Sequence, residues 1–441
     1  MFRTIKIKIF TIVAACVLLL GSCSEKLDLL PESAVSPDQI TATNIKFFLN
    51  GLYLRTFGER DDHFLNDLRG GNYTWTALSG NNSAYGALIT GNTLDDRSTF
   101  SSRIWANGYK NIYNANIILD AAEKLGADAG ITAVKAETSY LRAYLYYILV
   151  TTFGDVPLIT VNTTESIAKT PKAQVWEQIN KDLDFAIANG RSLKTTGFET
   201  VSTEAAKALK ARVLLALNDK AGAARLAKEV IDETGISIAD NYGDIFRTAG
   251  APEAIFAFEN LKSEKNLRFS ALFWPYGTAW AGSYFVQPAD YVLNELYPDQ
   301  DKRKAVNIQR ITNADGTFNT IVSKYWDVQP IIISRISEMY LICAEGLQQP
   351  DGLKYLNILR IKRGLTALTS AEAGSGDQYL NLVLEERRRE LFSEGFLFFD
   401  LVRTDKATQL SNIKTADKLV MPIPGAQVSL SGGILIQNPG Y

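Results

Sequence analysis

The sequence contains one imidazole side chain, His63, which follows Asp61 and Asp62. Zinc sites and Ser-His-Asp triads both depend on imidazole, so a single histidine argues against either chemistry. The polar residues next to His63 in the sequence are instead typical of a solvated loop. No group of aspartates has the spacing of a calcium loop, and no glycine pair has the strand and helix context of a phosphate loop. We therefore expect neither a metal nor a cofactor.

A group of glutamates near the C-terminus could suggest an enzyme. Its members are Glu385, Glu386, Glu390 and Glu394. Glycoside hydrolysis needs two carboxyl groups, one acid and one nucleophile or base. These four, however, recur at short helical steps on one predicted helix and alternate with Arg387, Arg388 and Arg389, which favours ion pairs. Asp400 and Arg403 form a similar pair at a helix end. The pattern predicts packing and salt bridges, and no catalysis.

Two segments, residues 66–85 and 273–284, combine aromatic and polar side chains with glycine and serine. Neither has helical spacing, so both are predicted to be loops. Tyr and Trp rings offer a large rigid surface to the C–H face of a sugar, and amide or guanidinium groups pair with its hydroxyls. The candidate ligand contacts are Arg69, Asn72, Tyr73, Trp75, Trp274, Tyr276, Trp280 and Tyr284. The alternative is that these rings pack beneath their own loops.

Other tryptophans have a simpler interpretation. Trp105 shares a helical face with Tyr109 and Ile112, which predicts a core position. Trp176 and Trp326 are likewise assigned structural roles.

Composition and charge exclude several classes of protein. The 441 residues are 46% hydrophobic and 21% charged, which excludes a disordered chain. The formal net charge is −2, so the chain has no cationic excess to neutralise a nucleic-acid backbone.

The N-terminus has the pattern of a lipoprotein leader. Arg3, Lys6 and Lys8 precede an apolar run, residues 9–20, that is too short to span a bilayer and fits a signal peptide. The run ends in Leu-Gly-Ser-Cys, which resembles a bacterial lipobox. We predict that residues 1–22 are removed and that Cys23 carries the lipid, which would be the only attachment to the membrane. Residues 23–36 would form a tether.

The rest of the chain is mostly helical in pattern. Apolar residues recur at three- and four-residue steps, and small residues recur along one helix pair at Ala205, Ala208, Ala211, Ala223, Ala224 and Ala227. The predicted helices are 102–125, 132–152, 174–189, 202–217, 221–234, 290–296, 332–347, 352–364 and 378–393. Residues 253–260 form the best candidate strand, and residues 421–441 are predicted to be an extended segment on the surface.

Six segments together resemble the SusD/RagB family of outer-membrane lipoproteins. They are the lipobox with Lys-Leu-Asp-Leu-Leu-Pro at 26–31, WANGYKNIYNAN at 105–116, RAYLYYILVTTFGDVP at 142–157, ISRISEMYLICAEG at 333–346, ERRRELFSEGFLFFDLVR at 386–403, and the ending with MPIP at 421–424 and QNPGY at 437–441. They follow the family's order over nearly the whole chain.

The resemblance implies a mainly α fold: a tetratricopeptide-like helix-pair scaffold, the SusD-like α-α superhelix, with long irregular loops and few short strands. It implies an N-terminal region, 37–264, and a C-terminal RagB/SusD region, 265–441, in one globular body. It also implies a surface protein that captures a glycan without cleaving it and delivers it to a SusC-like TonB-dependent transporter. The alternatives are a peptide or other small nutrient as ligand, a helical-repeat adaptor that binds only protein, and a glycosidase.

Overall fold

Long helices account for most of the molecule, as the apolar spacing predicts. In a computed structural model the described residues are 39–75, 83–261, 263, 267–278, 280, 282–284, 286–313 and 315–441. The helices are α1 (Ile45–Thr56), α2 (Arg60–His63), α3 (Leu65–Gly70), α4 (Ser83–Thr90), α5 (Thr99–Leu125), α6 (Ala129–Phe153), α7 (Lys172–Asn189), α8 (Leu193–Thr196), α9 (Thr203–Ala216), α10 (Lys220–Thr234), α11 (Asp244–Arg247), α12 (Asp290–Asn294), α13 (Lys304–Asn307), α14 (Ile336–Leu347), α15 (Asp351–Lys362), α16 (Ser370–Ala373), α17 (Gly376–Glu390), α18 (Leu397–Arg403) and α19 (Gly425–Leu430). Short 3₁₀ turns lie at Phe269–Leu272, Ala407–Gln409 and Ala416–Leu419.

Side-chain caps fix where several long helices begin. Asp128, Ser202 and Asp219 each accept a hydrogen bond from a backbone N–H in the first turn of α6, α9 and α10. Such caps satisfy donors that the helix itself leaves unpaired. Helix α6 ends at Gly154, whose φ of 74° is a conformation that glycine adopts without strain.

Long helices that follow one another along the chain pack against each other. The path of contacts runs from α1 to α5, α6, α7, α9, α10, α14 and α15. The six alanines predicted to lie at the contact between α9 and α10, including Ala208 and Ala223, are buried. Close approach is also required between α10 and α14, since a Cβ added at Gly346 would lie 2.5 Å from the backbone oxygen of Lys220. The predicted mainly α helix-pair scaffold with few short strands is confirmed.

Six short strands pair in three antiparallel two-stranded sheets. The strands are β1 (Tyr73–Trp75), β2 (Ala254–Phe258), β3 (Val286–Pro288), β4 (Ile308–Thr312), β5 (Phe318–Val322) and β6 (Ile331–Arg335). The pairs are β1 with β3, β2 with β6, and β4 with β5. Strand β2 lies within the predicted strand, and all five of its residues are buried.

Three predicted elements differ from the structure. The helix predicted from residue 332 begins only at Ile336, because the preceding β-branched residues pair as β6 with β2. The first predicted loop contains helices α3 and α4 at its two ends. The C-terminal segment contains a short helix, α19, which starts directly after Pro424.

His63 is not in a solvated loop. It lies on α2 with its ring stacked on Phe269 at a centroid distance of 5.0 Å, and Phe57 and Phe64 also pack against it. Burial lowers the pKa of His63 to about 4, so the ring is neutral at physiological pH. The polar sequence neighbours misled the prediction, because Asp61 and Asp62 turn away to form ion pairs with Arg60 and Arg103.

One hydrophobic core runs through both halves of the described chain. Phe64, Tyr140, Phe256 and Phe392, which are far apart in sequence, belong to the same buried cluster. Trp105 is in this core, as predicted. The domain boundary near residue 264 stays a prediction.

The predicted leader and tether, with Cys23, lie outside the described residues. In the part of the chain that the structure describes, no helix is both long and apolar enough to cross a membrane.

Candidate ligand-binding site

Asn72 and Arg69 fasten the first predicted loop to the C-terminal half. The Asn72 amide donates to the Asp67 carboxylate at 2.7 Å, and its carbonyl accepts from Arg388 at 3.0 Å. The Arg69 guanidinium donates to two backbone carbonyls and lies 4.0 Å from the centre of the Phe398 ring. Both side chains are buried. They hold the loop in place and present no surface to a ligand, so their prediction as ligand contacts is corrected.

Tyr73 is also an internal residue. Its hydroxyl shares a hydrogen bond with Ser393, and its ring packs against Phe273 and Phe392. The side chain is buried, and burial raises the pKa of the phenol well above its ordinary value. Because Tyr73 faces the core from strand β1, it cannot stack on a sugar.

Trp75, two residues further along β1, points the other way. The indole is 43% exposed. One part of the ring rests on Gly86 of α4, where an added Cβ would lie 3.4 Å from it. The alternation of strand side chains explains why one aromatic of the pair is buried and the next is open. Residues 76–82, which continue this loop, lie outside the described residues.

In the second predicted loop, Trp274 and Tyr284 are structural. The Trp274 Nε1–H donates to the backbone oxygen of Tyr325 at 3.3 Å, and the ring is buried. The Tyr284 hydroxyl lies within hydrogen-bond distance of two acceptors, the Gln287 amide oxygen at 2.9 Å and the Thr320 carbonyl at 3.2 Å. Both rings are buried beneath the loop, which was the alternative interpretation of these aromatics, and they present little surface to a ligand.

Tyr276 and Trp280 lie at the surface of the same loop. Tyr276 is 93% exposed and precedes Gly277, whose φ of 81° forms the turn. Trp280 is partly buried because it lies against Trp326. The two indoles are nearly parallel, with an interplanar angle of 8° and a centroid distance of 6.0 Å.

The sequence predicts a structural role for Trp326, whereas the structure places this ring at the surface beside Trp280. It lies between β5 and β6, is 38% exposed, and carries the Arg247 guanidinium 4.0 Å from its ring centre. Arg247 is held in turn by hydrogen bonds to the carbonyls of Val306 and Ser323, at 2.9 and 2.7 Å. We call Trp280, Trp326 and Arg247 the tryptophan platform. A signal existed in the sequence, since Trp326 stands in a polar, non-helical stretch.

A buried ionic cluster supports the segment that carries Trp326. The Lys324 ammonium, two residues before it, donates to Glu394 at 2.6 Å, to the Phe392 carbonyl at 2.7 Å and to the Tyr242 hydroxyl at 3.0 Å. Burial lowers the pKa of Lys324 to about 8 although Glu394 opposes the shift. The fully satisfied ammonium fixes the backbone from which Trp326 projects.

The C-terminal glutamates form ion pairs, as predicted. Glu386 and Glu390 are completely buried and pair with arginines from other elements, including Arg303 and Arg363. Although burial acts to raise it, the pKa of Glu390 is held well below its ordinary value by the surrounding arginines. These two carboxylates are neutralised by arginines and are inaccessible to solvent.

The chain was compared with known families and structures. A SusD-like model described as "Starch-binding associating with outer membrane" matches residues 27–215, and a second model, of the SusD family, matches residues 257–417.

Two curated relatives come from Formosa agariphila. SusD-like protein P2 is 24% identical over 79% of this chain and 82% of its own length. SusD-like protein P38 is 24% identical over 96% of each chain.

Solved structures share the fold. A laminarin-binding SusD-like protein superposes with a TM-score of 0.77 at 22% identity, covering 90% of this chain and 99% of the other. Surface glycan-binding protein A from Bacteroides thetaiotaomicron, in complex with laminarihexaose, gives 0.77 at 20% identity, covering 90% and 99%. With the helical scaffold and both family models in agreement, the chain belongs to the SusD/RagB family.

Proposed function

We propose that this protein is a non-catalytic binding lipoprotein that captures an oligosaccharide at the tryptophan platform. The observation that carries the proposal is the pair of parallel, solvent-accessible indoles, Trp280 and Trp326, held on irregular segments of a rigid helical body. Removing the apolar face of a sugar from water against such a ring is favourable, and the ordered rings lose little entropy. Trp75 and Tyr276 are further exposed aromatics that can extend the surface.

The relatives support a glycan as the ligand. Two of the similar structures are a laminarin-binding protein and a glycan-binding protein with bound laminarihexaose. The exposed indoles in this chain suit the same type of ligand. A peptide is the alternative within the same role, and an adaptor that binds only protein would need no exposed stack of this kind.

The proposal includes no catalysis. Among the described residues, Glu386 and Glu390, two of the glutamates that resemble a glycosidase pair, are buried and bound to arginines. A carboxyl group in that setting cannot reach a glycosidic bond. Prolonged incubation with a labelled polysaccharide should therefore release no shorter product.

The proposed partner is a SusC-like TonB-dependent transporter in the outer membrane, with Cys23 as the lipid anchor. Membership of the family and the description of the matched model as associating with the outer membrane support this assignment. Detergent extracts of the native membrane should yield a stable complex with a large barrel protein. Recovery of the protein without such a partner would count against the delivery role.

The binding test uses truncation of the platform. Trp280→Ala and Trp326→Ala should each weaken oligosaccharide binding by about 2 kcal/mol, which is roughly 30-fold in Kd, the loss typical of a central aromatic contact. The matched control is Tyr113→Ala, which removes a ring that is 51% exposed on helix α5, outside the platform.

Calorimetric titration against a panel of oligosaccharides measures the Kd, and a melting curve checks the fold. Loss of binding in both tryptophan variants with an unchanged control supports the proposal. Equal binding by the wild type and both variants would refute the site, and binding of peptides alone would replace the glycan with the alternative ligand.

A further inference from the structure

The tryptophan platform carries the positive charge of Arg247. Among the described residues, Arg247 forms no ion pair, and its two observed hydrogen bonds both come from Nη2. Its Nε–H is buried without a hydrogen-bond partner. Burial lowers the pKa of Arg247 to about 10, so the guanidinium stays charged at neutral pH. Asp244, on the same short helix, instead accepts a hydrogen bond from Asn241 at 2.7 Å.

A cleft of about 500 Å³ between α1, α2 and α5 adds further cations. Its charged lining consists of Arg55, Arg103, Lys110, Glu59 and Asp62. Arg103 is used by the protein itself, because it pairs with Asp62 at 2.7 Å. Arg55 and Lys110 are exposed and form no ion pair with any described residue, which leaves the cleft with one net positive charge.

The floor of the cleft provides amides. Asn107 and Asn111 lie one turn apart on α5, and both line the cleft. The Asn111 amide donates to Asn107 and to the Arg55 carbonyl, whereas its own carbonyl oxygen is buried without a donor. A polar floor below a cationic rim suits a ligand that has both hydroxyls and negative charge.

Arg268 connects the cleft with the platform. Leu267 lines the cleft, and the Nε of the next residue, Arg268, lies 3.9 Å from the Asp327 carboxylate, beside Trp326. The distance is long for an ion pair between partly exposed side chains, so the attraction is weak. This contact links the segment that lines the cleft, at Leu267, to the segment that carries Trp326.

We propose that the captured glycan is acidic, with carboxylate or sulfate groups on its sugars. The platform binds the apolar face of one sugar while Arg247 pairs with its negative substituent, and Arg55 and Lys110 bind a further substituent in the cleft. This inference rests on the proposed glycan-binding function. The chain as a whole has a net charge of −2, so a general excess of cations does not explain the unpaired ones here.

The test compares three probes of equal length on the full-length protein: a galacturonic acid hexasaccharide, a sulfated galactose hexasaccharide and neutral laminarihexaose. We expect at least one acidic probe to bind tenfold or more tightly than the neutral one, with an affinity that falls as salt rises. Whichever acidic probe binds more tightly distinguishes carboxylate from sulfate.

Two variants locate the charge effect. Arg247→Gln should weaken acidic-probe binding about tenfold, and Arg247→Lys, which keeps the charge, should recover part of it. The double variant Arg55→Gln/Lys110→Gln, which changes two exposed side chains, should weaken acidic-probe binding about fivefold without loss of stability. The matched control is Lys194→Gln, an exposed cation on α8.

The outcomes separate the two proposals. If laminarihexaose binds as tightly as the acidic probes, or if the charge variants change nothing, the acidic ligand is refuted while glycan binding stands. If no oligosaccharide binds, or if binding is indifferent to Trp280 and Trp326, the proposed function itself fails.

Discussion

Replacing Glu390 with glutamine should destabilise the protein far more than the same replacement at Glu385 on the same helix. The carboxylate is completely buried and accepts hydrogen bonds from Arg303 at 3.0 Å, Arg335 at 2.8 Å and Arg363 at 2.7 Å. Glutamine has nearly the same shape but no charge, and its amide group places donors opposite the guanidinium donors. The arginines would keep their charges and lose their shared counter-ion.

Removing one partner from a buried ion pair typically costs about 3–5 kcal/mol. At about 2.1 cal/mol/K of unfolding entropy per residue, a body of roughly 400 residues has an unfolding entropy near 0.8 kcal/mol/K, so the Tm should fall by about 4–6 °C. The control is Glu385→Gln, whose carboxylate is partly exposed and, among the described residues, bonds to Tyr291 and Arg389. It should lose less than about 1 kcal/mol, or roughly 1 °C.

Differential scanning calorimetry of the wild type and both variants at pH 7 measures the difference. A similar decrease of the Tm in both variants, or no decrease in Glu390→Gln, would show that Glu390 and its arginines are not the stabilising unit that their geometry indicates.

Two further predictions concern acid stability and the anchor. The folded-state pKa of Glu390 lies well below its ordinary value of 4.5, so the stability that this carboxylate contributes is present above pH 4.5 and is lost as the pH falls toward the folded-state pKa. In thermal scans between pH 3 and 7, the wild-type Tm should therefore decrease once the pH is below about 4.5. The decrease should be steeper than that of Glu390→Gln. Cys23→Ala should move the protein from the membrane to the soluble fraction and abolish growth on the cognate nutrient, and unchanged fractionation would refute the lipid anchor.

The sequence alone predicted the elements that depend on local patterns. Helices α5, α6, α7, α9 and α10 begin and end within about three residues of the predicted bounds, because apolar period, capping side chains and terminal glycines are all local signals. Buried Trp105 followed from the same periodicity. The ion-pairing role of the C-terminal glutamates followed from their helical spacing next to arginines.

Strand β6 shows where local patterns fail. Residues 332–335 are predicted as the start of a helix, but they belong to a strand because β2, about 75 residues earlier in the chain, supplies the backbone partners. The prediction that His63 is solvated failed for a similar reason. The aromatic rings that pack against it include Phe269, which comes from a distant segment.

The candidate site shows most clearly which properties the sequence predicts and which depend on the tertiary structure. Residue type and the absence of helical spacing predicted which segments carry aromatic rings, and they could not predict which rings face solvent. Tyr73 and Trp75 have the same local environment in sequence, yet one is buried against Phe273 and the other is open. That outcome depends on strand β3 and on the core beneath it, which the fold brings from elsewhere in the chain.

The amino-acid sequence thus determined the class of fold, the helix-pair scaffold and the segments that could bind a ligand. Only the tertiary structure decided that Trp280 meets Trp326, that Arg247 lies on the stack with no ion pair to any described residue, and that five of the eight predicted contacts are internal. The physical reason is that exposure and pairing are properties of packing between distant segments, whereas helix formation and leader patterns are properties of neighbouring residues.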